Sequence, residues 1–496
     1  MTRSVPTPRS LPLALLVVLL ALTAAACRTT PQAPVVGSVQ AVAGTDRTVT
    51  ADPVATVTLD GSASVAPAGA TLAYDWLLSS RPEGSEATLA AAATATPAFV
   101  ADRPGTYVAT LTVTAAGESD SDIVTVQAIC PEPTVIDGDV TEDATWVVFV
   151  PTCPDVLVTS RGFVLADLVI GPGTTVVFGP GAGLENRSGS IQAVGTADAP
   201  ITFRGSDPTP GFWKGIAFTE NDVRNELTHA IVDGAGLGRI GTGLDDNAVG
   251  VDGNARLTMT HTVVRNSAGV GLRVGGGVGG SLAGFVANRF ESNAGVPVDL
   301  RLGDYVHFLD DASVFDPAEA PNGAGHVLVR FAGAVATPRT WQALDVPVRF
   351  GPSSPSGLVA VQAALTLAPG ATFEFTDGFG LSVATGAAII ADGSDGRITL
   401  RGVPEGAGQW VGVSIASASA ENLFDDVLLQ GAGQSALGLA GAPAAIRVQL
   451  GAAAAVLNSE IRDSAGCGIY EHPTAELSIG ANTFVNVAGD DICDGS

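Results

Sequence analysis

Two stretches of this chain, 197 positions apart, are versions of the same sequence. The clearest match is Gly211-x-Trp213-x-Gly215, which returns as Gly408-x-Trp410-x-Gly412. Further matches at the same distance pair Leu168 with Leu365, Pro172-Gly173 with Pro369-Gly370, Arg204-Gly205 with Arg401-Gly402, and Arg265 with Arg462. An internal duplication predicts a repeat architecture, in which each unit buries its apolar face against the next. The copies share mostly Gly, Pro, Trp and apolar positions, which indicates a lengthened scaffold.

The apolar residues come in short runs that favour strands over helices. Leu168-Val169-Ile170, Val176-Val177-Phe178 and Ile201-x-Phe203 follow one another at short intervals, and most runs end in a turn rich in Gly, Pro or Asn. The chain has 61 Gly and 30 Pro, and we find no helical periodicity after residue 156. The formal net charge of −26 argues against a nucleic-acid partner, because binding phosphate requires basic patches.

The first 26 residues have the pattern of an export signal. Two Arg precede an apolar core over residues 11–22, which is too short to span a bilayer comfortably. The next residues, Ala24-Ala25-Ala26-Cys27, resemble the lipobox of bacterial lipoproteins. The resemblance implies a signal peptide over 1–26, a lipidated Cys27 and a tether over 27–36. Ordinary secretory cleavage after Ala26 is the other interpretation.

The lipobox resemblance also implies a location. A lipidated Cys27 makes the membrane a partner through the N-terminal lipid and leaves the rest of the chain in water. Arg28 follows the cysteine where an Asp would favour retention in the inner membrane. By resemblance to known sorting rules, we expect a lipid-anchored protein of the bacterial cell surface or periplasm, at the outer membrane of a Gram-negative source.

Four cysteines remain after Cys27, an even number that suits disulfides in an exported protein. Four cysteines allow three pairings. They fall into two local pairs, and we favour those: Cys130 with Cys153, and Cys467 with Cys493. Metal binding is disfavoured, because the chain has no CxxC and only five His.

Residues 37–128 predict one small β-sandwich. Leu72-x-Tyr74-x-Trp76-x-Leu78 alternates with period two, as a half-buried strand should. The segment resembles the PKD family, an immunoglobulin-like sandwich of extracellular proteins, in which we expect Trp76 to be part of the core. The residues that carry the resemblance are Leu59-Asp60-Gly61-Ser62-x-Ser64, Tyr74-x-Trp76, Pro82-x-Gly84-Ser85, Pro104-Gly105-Thr106-Tyr107 and Val124-x-Val126.

From residue 156 onward, the recurring strands resemble the right-handed parallel β-helix family of secreted and surface proteins. The residues that carry the resemblance are Pro172-Gly173-Thr174-x3-Phe178, Gly195-Thr196-Ala197-x2-Pro200-Ile201-x-Phe203 and Trp213-x-Gly215-Ile216, with Pro369-Gly370-Ala371 and Trp410-Val411-Gly412-Val413 in the second copy. Stacked rungs explain the apolar runs, and tight corners explain the Gly and Asn.

The predicted fold class is therefore all-β, with an N-terminal Ig-like β-sandwich followed by a right-handed parallel β-helix built from two duplicated segments. We expect a linker or cap over 129–155, the first β-helix copy over 156–300, a connecting segment over 301–345 and the second copy over 346–496. The sequence leaves open whether the copies form one solenoid or two.

The β-helix resemblance also brings in polysaccharide lyases, with Arg or Lys bases and acidic calcium ligands, and glycoside hydrolases with paired Asp residues. The candidates for such chemistry are Asp245, Asp246, Asp252, His261, Arg265 and Lys214, with Asp425, Asp426 and Asp463 in the second copy. Most have a simpler interpretation as corner residues, and His261 and Lys214 are not kept in the second copy. No GxSxG, HExxH or P-loop is present, and we expect no cofactor or metal. The turn Asp120-Ser121-Asp122 is a weaker candidate for Ca²⁺.

The sequence favours a non-enzymatic cell-surface lipoprotein with an adhesive or scaffold role. Its expected partners are the membrane, through the lipid, and an extracellular glycan or protein. The alternative is a carbohydrate-active enzyme of the parallel β-helix type. A row of exposed Trp or Tyr along one face would favour sugar binding, but the chain has only five Trp and four Tyr.

Overall fold

The computed structural model describes residues 38–51, 55–148, 153–238, 240, 246–275, 280–351, 357–434 and 442–495. These residues form β-strands throughout, with one short 3-10 helix, Gly303–Phe308. They divide into two compact units, one built mainly from the sandwich and one mainly from the chain after Gln127. The predicted all-β class is confirmed.

The first unit is a sandwich of two small antiparallel sheets. One sheet orders its strands as Arg47–Thr50, Glu118–Ile129, Gly105–Ala115 and Ala73–Ser80, and the other pairs Ala55–Thr58 with Ala98–Ala101. Strand 73–80 pairs antiparallel with strand 105–115, so that Trp76 lies opposite Leu111. Trp76 is 3% exposed and belongs to the core, which agrees with the alternation of its strand.

The second unit is a parallel β-helix with three faces, A, B and C, on which successive rungs stack. Face A is one sheet that continues through both copies. In chain order, its thirteen strands are Arg161–Val164, Gly183–Asn186, Gly215–Phe218, Asn247–Val251, Val270–Val274, Val298–Leu302, Val327–Phe331, Val348–Phe350, Thr372–Phe375, Ile398–Gly402, Val427–Gln430, Glu460–Arg462 and Thr483–Val485.

Faces B and C are each built from two sheets, one in each half of the β-helix. In the first half, face B contains Thr134–Ile136, Val156–Val158, Thr175–Phe178, Ile201–Gly205, Ala230–Asp233, Val263–Arg265 and Arg289–Glu291. Face C there contains Ala144–Trp146, Leu168–Ile170, Ile191–Val194, Glu226–Thr228, Arg256–Thr260 and Ser281–Val286. A rung thus runs from face B to face A to face C.

In the second half, face C contains Ala334–Val335, Leu358–Val361, Gly380–Val383, Val413–Ile415, Ala444–Val448, Cys467–Glu471 and Ile492–Asp494. Face B contains Arg339–Trp341, Ala364–Leu367, Ala388–Asp392, Leu423–Asp425, Ala453–Leu457 and Glu476–Ile479. The 3-10 helix Gly303–Phe308 contacts the strands on either side of the junction, Ser281–Val286 and Ala334–Val335, and so bridges the two sheets of face C.

The two copies form one continuous solenoid, which answers the question that the sequence leaves open. A single hydrophobic core runs from Val140 to Ile469. Its rungs repeat their packing: Trp213 stacks on Phe178 at 4.1 Å between ring centroids, and Trp410 stacks on Phe375 at 4.5 Å. Continuity follows because face A is hydrogen-bonded from one copy into the next through Val298–Leu302 and Val327–Phe331.

The matched positions of the two copies lie on different faces. Strand Thr175–Phe178 is on face B, whereas its match Thr372–Phe375 is on face A; strand Gly183–Asn186 is on face A, whereas Gly380–Val383 is on face C. The 197 residues between matched positions therefore span seven turns and one further face. The second copy presents each of its surfaces in a direction one face round from the first.

The β-helix includes two segments for which the sequence predicted other roles. Residues 129–155 were expected to be a linker or cap, but Thr134–Ile136 and Ala144–Trp146 already pair with rung strands. Residues 301–345 were expected only to connect the copies, but they supply three strands, on faces A, C and B in turn. Their apolar residues, such as Trp146 and Trp341, belong to the same core, because a solenoid buries its rungs only by stacking without a break.

Several corners turn at a residue in the left-handed region, which costs energy for any residue but Gly and is eased by Asn and Asp. His229 and His261 adopt φ of 46° and 49° between faces C and B, and their matches Asp426 and Asn458 adopt 46° and 47°. The corner conformation is thus kept across the copies while the side chain changes.

The structure contains both local disulfides that we favour from the sequence. Cys130 is bonded to Cys153 with a Cα–Cα distance of 5.5 Å, and Cys467 to Cys493 with 6.0 Å. The second bond joins two neighbouring strands of face C, so it fixes the last rung to the rung before it.

Candidate functional surface

Two of the predicted site residues lie outside the described residues. They are the lipidation candidate Cys27 and the acidic candidate Asp245. The lipoprotein interpretation therefore remains a prediction. In the part of the chain that the structure describes, no helix has the length and apolar character needed to cross a membrane.

The first-copy acidic candidates lie at the start and end of one face A strand. The carbonyl oxygen of Asp246 accepts a hydrogen bond from the Val270 amide, and the exposed Asp246 sits in the chain that enters the strand. Asp252 is 1% exposed and begins the turn after the strand, where its carbonyl accepts from Ala255. The two residues flank strand Asn247–Val251, so the structure does not bring them together as an acid–base pair.

The basic candidates of the first copy have structural contacts. Arg265 pairs with Asp233 at 2.9 Å and with Glu291 at 3.9 Å, on neighbouring rungs of face B. The Lys214 ammonium donates to the carbonyl oxygen of Leu237 at 3.3 Å. An Arg between two carboxylates is held by its own sheet.

His261 forms a ladder with another histidine at one corner. Its ring stacks on that of His229 with 4.6 Å between centroids, one rung apart. Both residues have left-handed φ, and Asp and Asn replace them in the second copy. The repeated backbone angle with varying side chains points to a corner rather than to a catalytic histidine.

The second-copy candidates also lie in corner ladders. Asp426 accepts from Arg397 at 2.9 Å, and Asp425 accepts from Asn458 at 2.8 Å. Asp463 adopts φ of 55° and accepts from Asn486 at 3.1 Å. Each carboxylate is held by a residue from another rung, an arrangement that stabilises stacking.

Sequence reasoning missed the most buried charges of the β-helix, which lie on the outer side of face A. Glu374 is 2% exposed and lies between Arg349 at 2.7 Å and Arg401 at 2.5 Å, one from the rung before and one from the rung after. Asp299 is 1% exposed and accepts from Arg330 at 2.9 and 2.8 Å. Opposite charges directly across neighbouring strands stabilise a sheet.

A sequence signal for this ladder exists. Arg349, Glu374 and Arg401 occupy the centre of successive short apolar strands, about one rung apart, and register places them side by side. Burial by itself would raise the pKa of Glu374, but the hydrogen bonds from Arg401 and Arg349 outweigh it and lower that pKa. The carboxylate is therefore held in its charged form.

Glu185 repeats this arrangement near the start of face A. It is 1% exposed and bonds to the guanidinium groups of Arg161 and Arg187, the latter at 2.7 Å. Burial alone would raise the pKa of Glu185, but hydrogen bonds from the two Arg lower it. The Arg187 guanidinium also lies 3.8 Å from the ring centroid of Phe163, a cation–π contact.

The aromatic residues argue against a sugar-stacking face. The five Trp are between 0% and 5% exposed: Trp76, Trp146, Trp213, Trp341 and Trp410. Three of the four Tyr are also at most 8% exposed: Tyr107, Tyr305 and Tyr470. The described surface therefore carries no row of Trp or Tyr.

Neither unit contains a metal-binding cluster among its described residues. In the sandwich, the acidic turn that we considered for Ca²⁺ has another role. Asp120 and Asp122 accept hydrogen bonds from the backbone amides of Ala41 and Ala43, both at 2.8 Å. These carboxylates tie down the chain that enters the sandwich.

Comparison with known proteins identifies the first unit. Residues 43–128 match a family model that describes a PKD domain. The solution structure of the PKD domain from KIAA 1837 protein is 31% identical, over 20% of this chain and 92% of that chain, with a TM-score of 0.17. No curated protein matches the chain.

A second solved structure is a nucleoside hydrolase-related hypothetical protein from Saccharophagus degradans, which its title associates with carbohydrate metabolism. It is 17% identical, over 18% of this chain and 26% of that chain, with a TM-score of 0.17. The fold and the family match together define an all-β protein in which a PKD domain precedes a parallel β-helix.

Proposed function

We propose that this protein is a non-enzymatic scaffold or adhesive lipoprotein of the bacterial cell surface, anchored through Cys27 and making protein contacts with its β-helix. The observation that supports the non-enzymatic role most directly is the use of its charged side chains. The described candidates for catalysis lie in corners or bond to residues of neighbouring rungs, as Arg265 does with Asp233. Groups engaged in this way hold a solenoid together.

Protein contacts are favoured over aromatic stacking on glycans. Sugar-binding surfaces use exposed aromatic rings, whose apolar faces pack against the sugar, and the Trp residues of this chain are all buried in its cores. Long solenoids, by contrast, commonly use an extended surface to bind proteins. PKD modules also occur in extracellular proteins, which agrees with an exported chain.

The anchoring part of the proposal rests on the sequence around Cys27, and a labelling experiment tests it. The full-length chain and its Cys27→Ala variant are expressed in a Gram-negative host that is fed an alkyne-bearing fatty acid. We expect label in the wild-type chain only, and release of the variant from the membrane fraction. Equal labelling of the two chains would contradict the lipid anchor, and Cys467→Ala serves as a control for labelling of other cysteines.

The non-enzymatic part is tested with a polysaccharide panel that includes uronic-acid polymers, the substrates of the competing lyase interpretation. We expect no turnover by the purified full-length protein. Turnover that disappears in Asp252→Asn or Asp246→Asn, with an unchanged melting temperature, would establish the carbohydrate-active alternative. Glu118→Gln, an exposed position in the sandwich, is the matched control for loss of a surface carboxylate.

A further inference from the structure

We propose that the last described rung of the β-helix is a docking end for an extended, basic segment of another protein, which adds to it as a further β-strand. The docking end consists of strands Glu476–Ile479, Thr483–Val485 and Ile492–Asp494. The proposal goes beyond the function proposed above, because it concerns the end of the solenoid and requires no lipid anchor.

The first observation is that the inward side chains of this rung are exposed. Ile479 and Ile492 are each 39% exposed, whereas the residues directly below them in register, Val456 and Ile469, are 0% exposed. Phe484, the inward residue of the third strand, is also only partly buried. A further strand on this end would remove from water the apolar surface that every earlier rung buries.

The second observation is that all three strands are terminal in their sheets. Each has a hydrogen-bonded neighbour on one side only: 453–457, 460–462 and 467–471. A terminal strand presents part of its backbone N–H and C=O groups away from its neighbour, and these groups form a template for another strand. An extended peptide that adds to such an edge gains main-chain hydrogen bonds, while pockets select its alternate side chains.

The third observation is charge, which identifies the kind of occupant. Residues 471–495 contain five acidic residues and no Lys or Arg; the acids are Glu471, Glu476, Asp490, Asp491 and Asp494. A basic segment complements this rim, whereas a second copy of the same end would bring two acidic rims together. The occupant that fits is therefore a segment in which apolar residues alternate with Lys or Arg.

The fourth observation is a hollow of about 370 Å³ beside the edge. It is lined by Ala453, Ala454 and Ala455 on one rung and by Glu476, Leu477 and Ser478 on the last rung. The small alanine side chains leave room for the aliphatic stem of a Lys or Arg, with its charge near the Glu476 carboxylate. The Cys467–Cys493 bond holds the docking end in place, so binding orders little of the protein itself.

Fluorescence anisotropy of labelled synthetic octapeptides with the full-length protein tests the proposal. The probes are an alternating Val-Lys peptide and a Val-Glu peptide of the same length. We expect saturable binding of the Val-Lys peptide alone, which weakens as salt is raised toward about 1 M because exposed charges are then screened. We also expect slower hydrogen exchange in residues 476–494 when the peptide is bound.

Two variants locate the binding. The triple variant Glu476→Gln/Asp490→Asn/Asp491→Asn should weaken the Val-Lys peptide at least about tenfold, since it removes three charges from the rim. The matched control, Asp311→Asn/Glu405→Gln/Glu421→Gln, removes three exposed acids elsewhere on the β-helix and should bind as the wild type does. The double variant Ile479→Lys/Ile492→Lys should abolish binding; if it does not fold, the triple variant still decides the test.

Three results would overturn the proposal. They are the absence of saturable binding of the Val-Lys peptide to the wild-type protein, an equal loss in the control triple variant, and a wild-type dimer in sedimentation that Ile492→Lys dissociates. The last result would assign the end to a second copy of this chain. None of these measurements depends on acylation or on the polysaccharide panel, so the anchored scaffold and the docking end can fail separately.

Discussion

Positions 250 and 447 occupy the same place in the two copies of one rung, yet the structure uses them differently. Arg447 is 2% exposed, and its guanidinium donates to the carbonyl oxygens of Ala442 at 3.1 Å, Val411 at 3.3 Å and Gln434 at 3.0 Å. Burial lowers the pKa of this guanidinium. The first copy has Gly250 there, which can make no such bonds.

The first copy fills the corresponding region with other polar groups. A Cβ added to Gly250 would lie 3.0 Å from the side-chain nitrogen of Asn247, a residue that is 1% exposed. Neither polar atom of the Asn247 side chain has a hydrogen-bond partner. The comparison teaches that the copies keep their corners and core stacks, whereas outer positions diverge even where they are buried.

The largest expected effect tests what the copies share. Replacing Trp213 or Trp410 by Ala removes a buried indole that stacks on a Phe and donates to a main-chain oxygen, of Asp233 at 2.8 Å and of Gln430 at 2.9 Å respectively. We expect each change to lower the free energy of unfolding by about 4 kcal/mol. Urea denaturation measures this loss, and a difference above about 2 kcal/mol between the variants would contradict equal packing in the copies.

The next effect tests what the copies do not share. Arg447→Met removes the guanidinium that serves three carbonyl oxygens, so we expect a loss of about 3 kcal/mol. Gly250→Ala, the matched change in the first copy, should cost at most about 1 kcal/mol, because the neighbouring Asn247 side chain can move. Both values come from urea denaturation, and equal losses would show that position 250 is as constrained as position 447.

A smaller effect concerns the charge ladder on face A. Glu374→Gln keeps the shape of the side chain but leaves Arg349 and Arg401 without their shared carboxylate, so we expect a loss of about 2 kcal/mol at pH 7. Because folding lowers the pKa of Glu374, the wild-type advantage is present above its unfolded value, near 4.5, and disappears as the pH falls below it. Denaturation of both proteins across pH 3 to 7 checks this, and a difference independent of pH would contradict it.

The smallest effect is a pH dependence at the junction of the copies. Burial, and then the charge of Arg349, lower the pKa of His326 from 6.5 to about 4. The unfolded chain thus takes up the proton first, and stability falls as the pH is lowered from about 6.5 to about 4. His326→Asn should flatten the melting temperature over this range, while His261→Asn, at an exposed corner, should not.

Much of this architecture could be predicted from the sequence. The alternation around Trp76 and the ordered PKD motifs indicated the sandwich, and the family model over residues 43–128 agrees. The apolar runs and Gly-rich turns indicated stacked rungs, and the parallel sheets confirm them. These features are local or periodic, so each can be recognised within a short stretch of chain.

The beginning of the β-helix and the ladder on face A could not be predicted in this way. Thr134–Ile136 and Ala144–Trp146 are short, and only pairing with the next rung marks them as strands. Glu374 resembles any isolated acidic residue until register places it between two Arg. Both features depend on contacts between residues about 20 or more positions apart, which no local pattern reports.

The sequence by itself determined that this protein is made of strands, that one segment was copied, and which residues turn the chain. Propensity, period and turn chemistry act within a few residues, and both copies obey them. Only the tertiary structure decided that the copies share one core, that the second lies one face round from the first, and that the last rung leaves Ile479 and Ile492 exposed. These properties depend on the number of turns in the coil and on what covers each rung, and both are set by stacking along the whole solenoid.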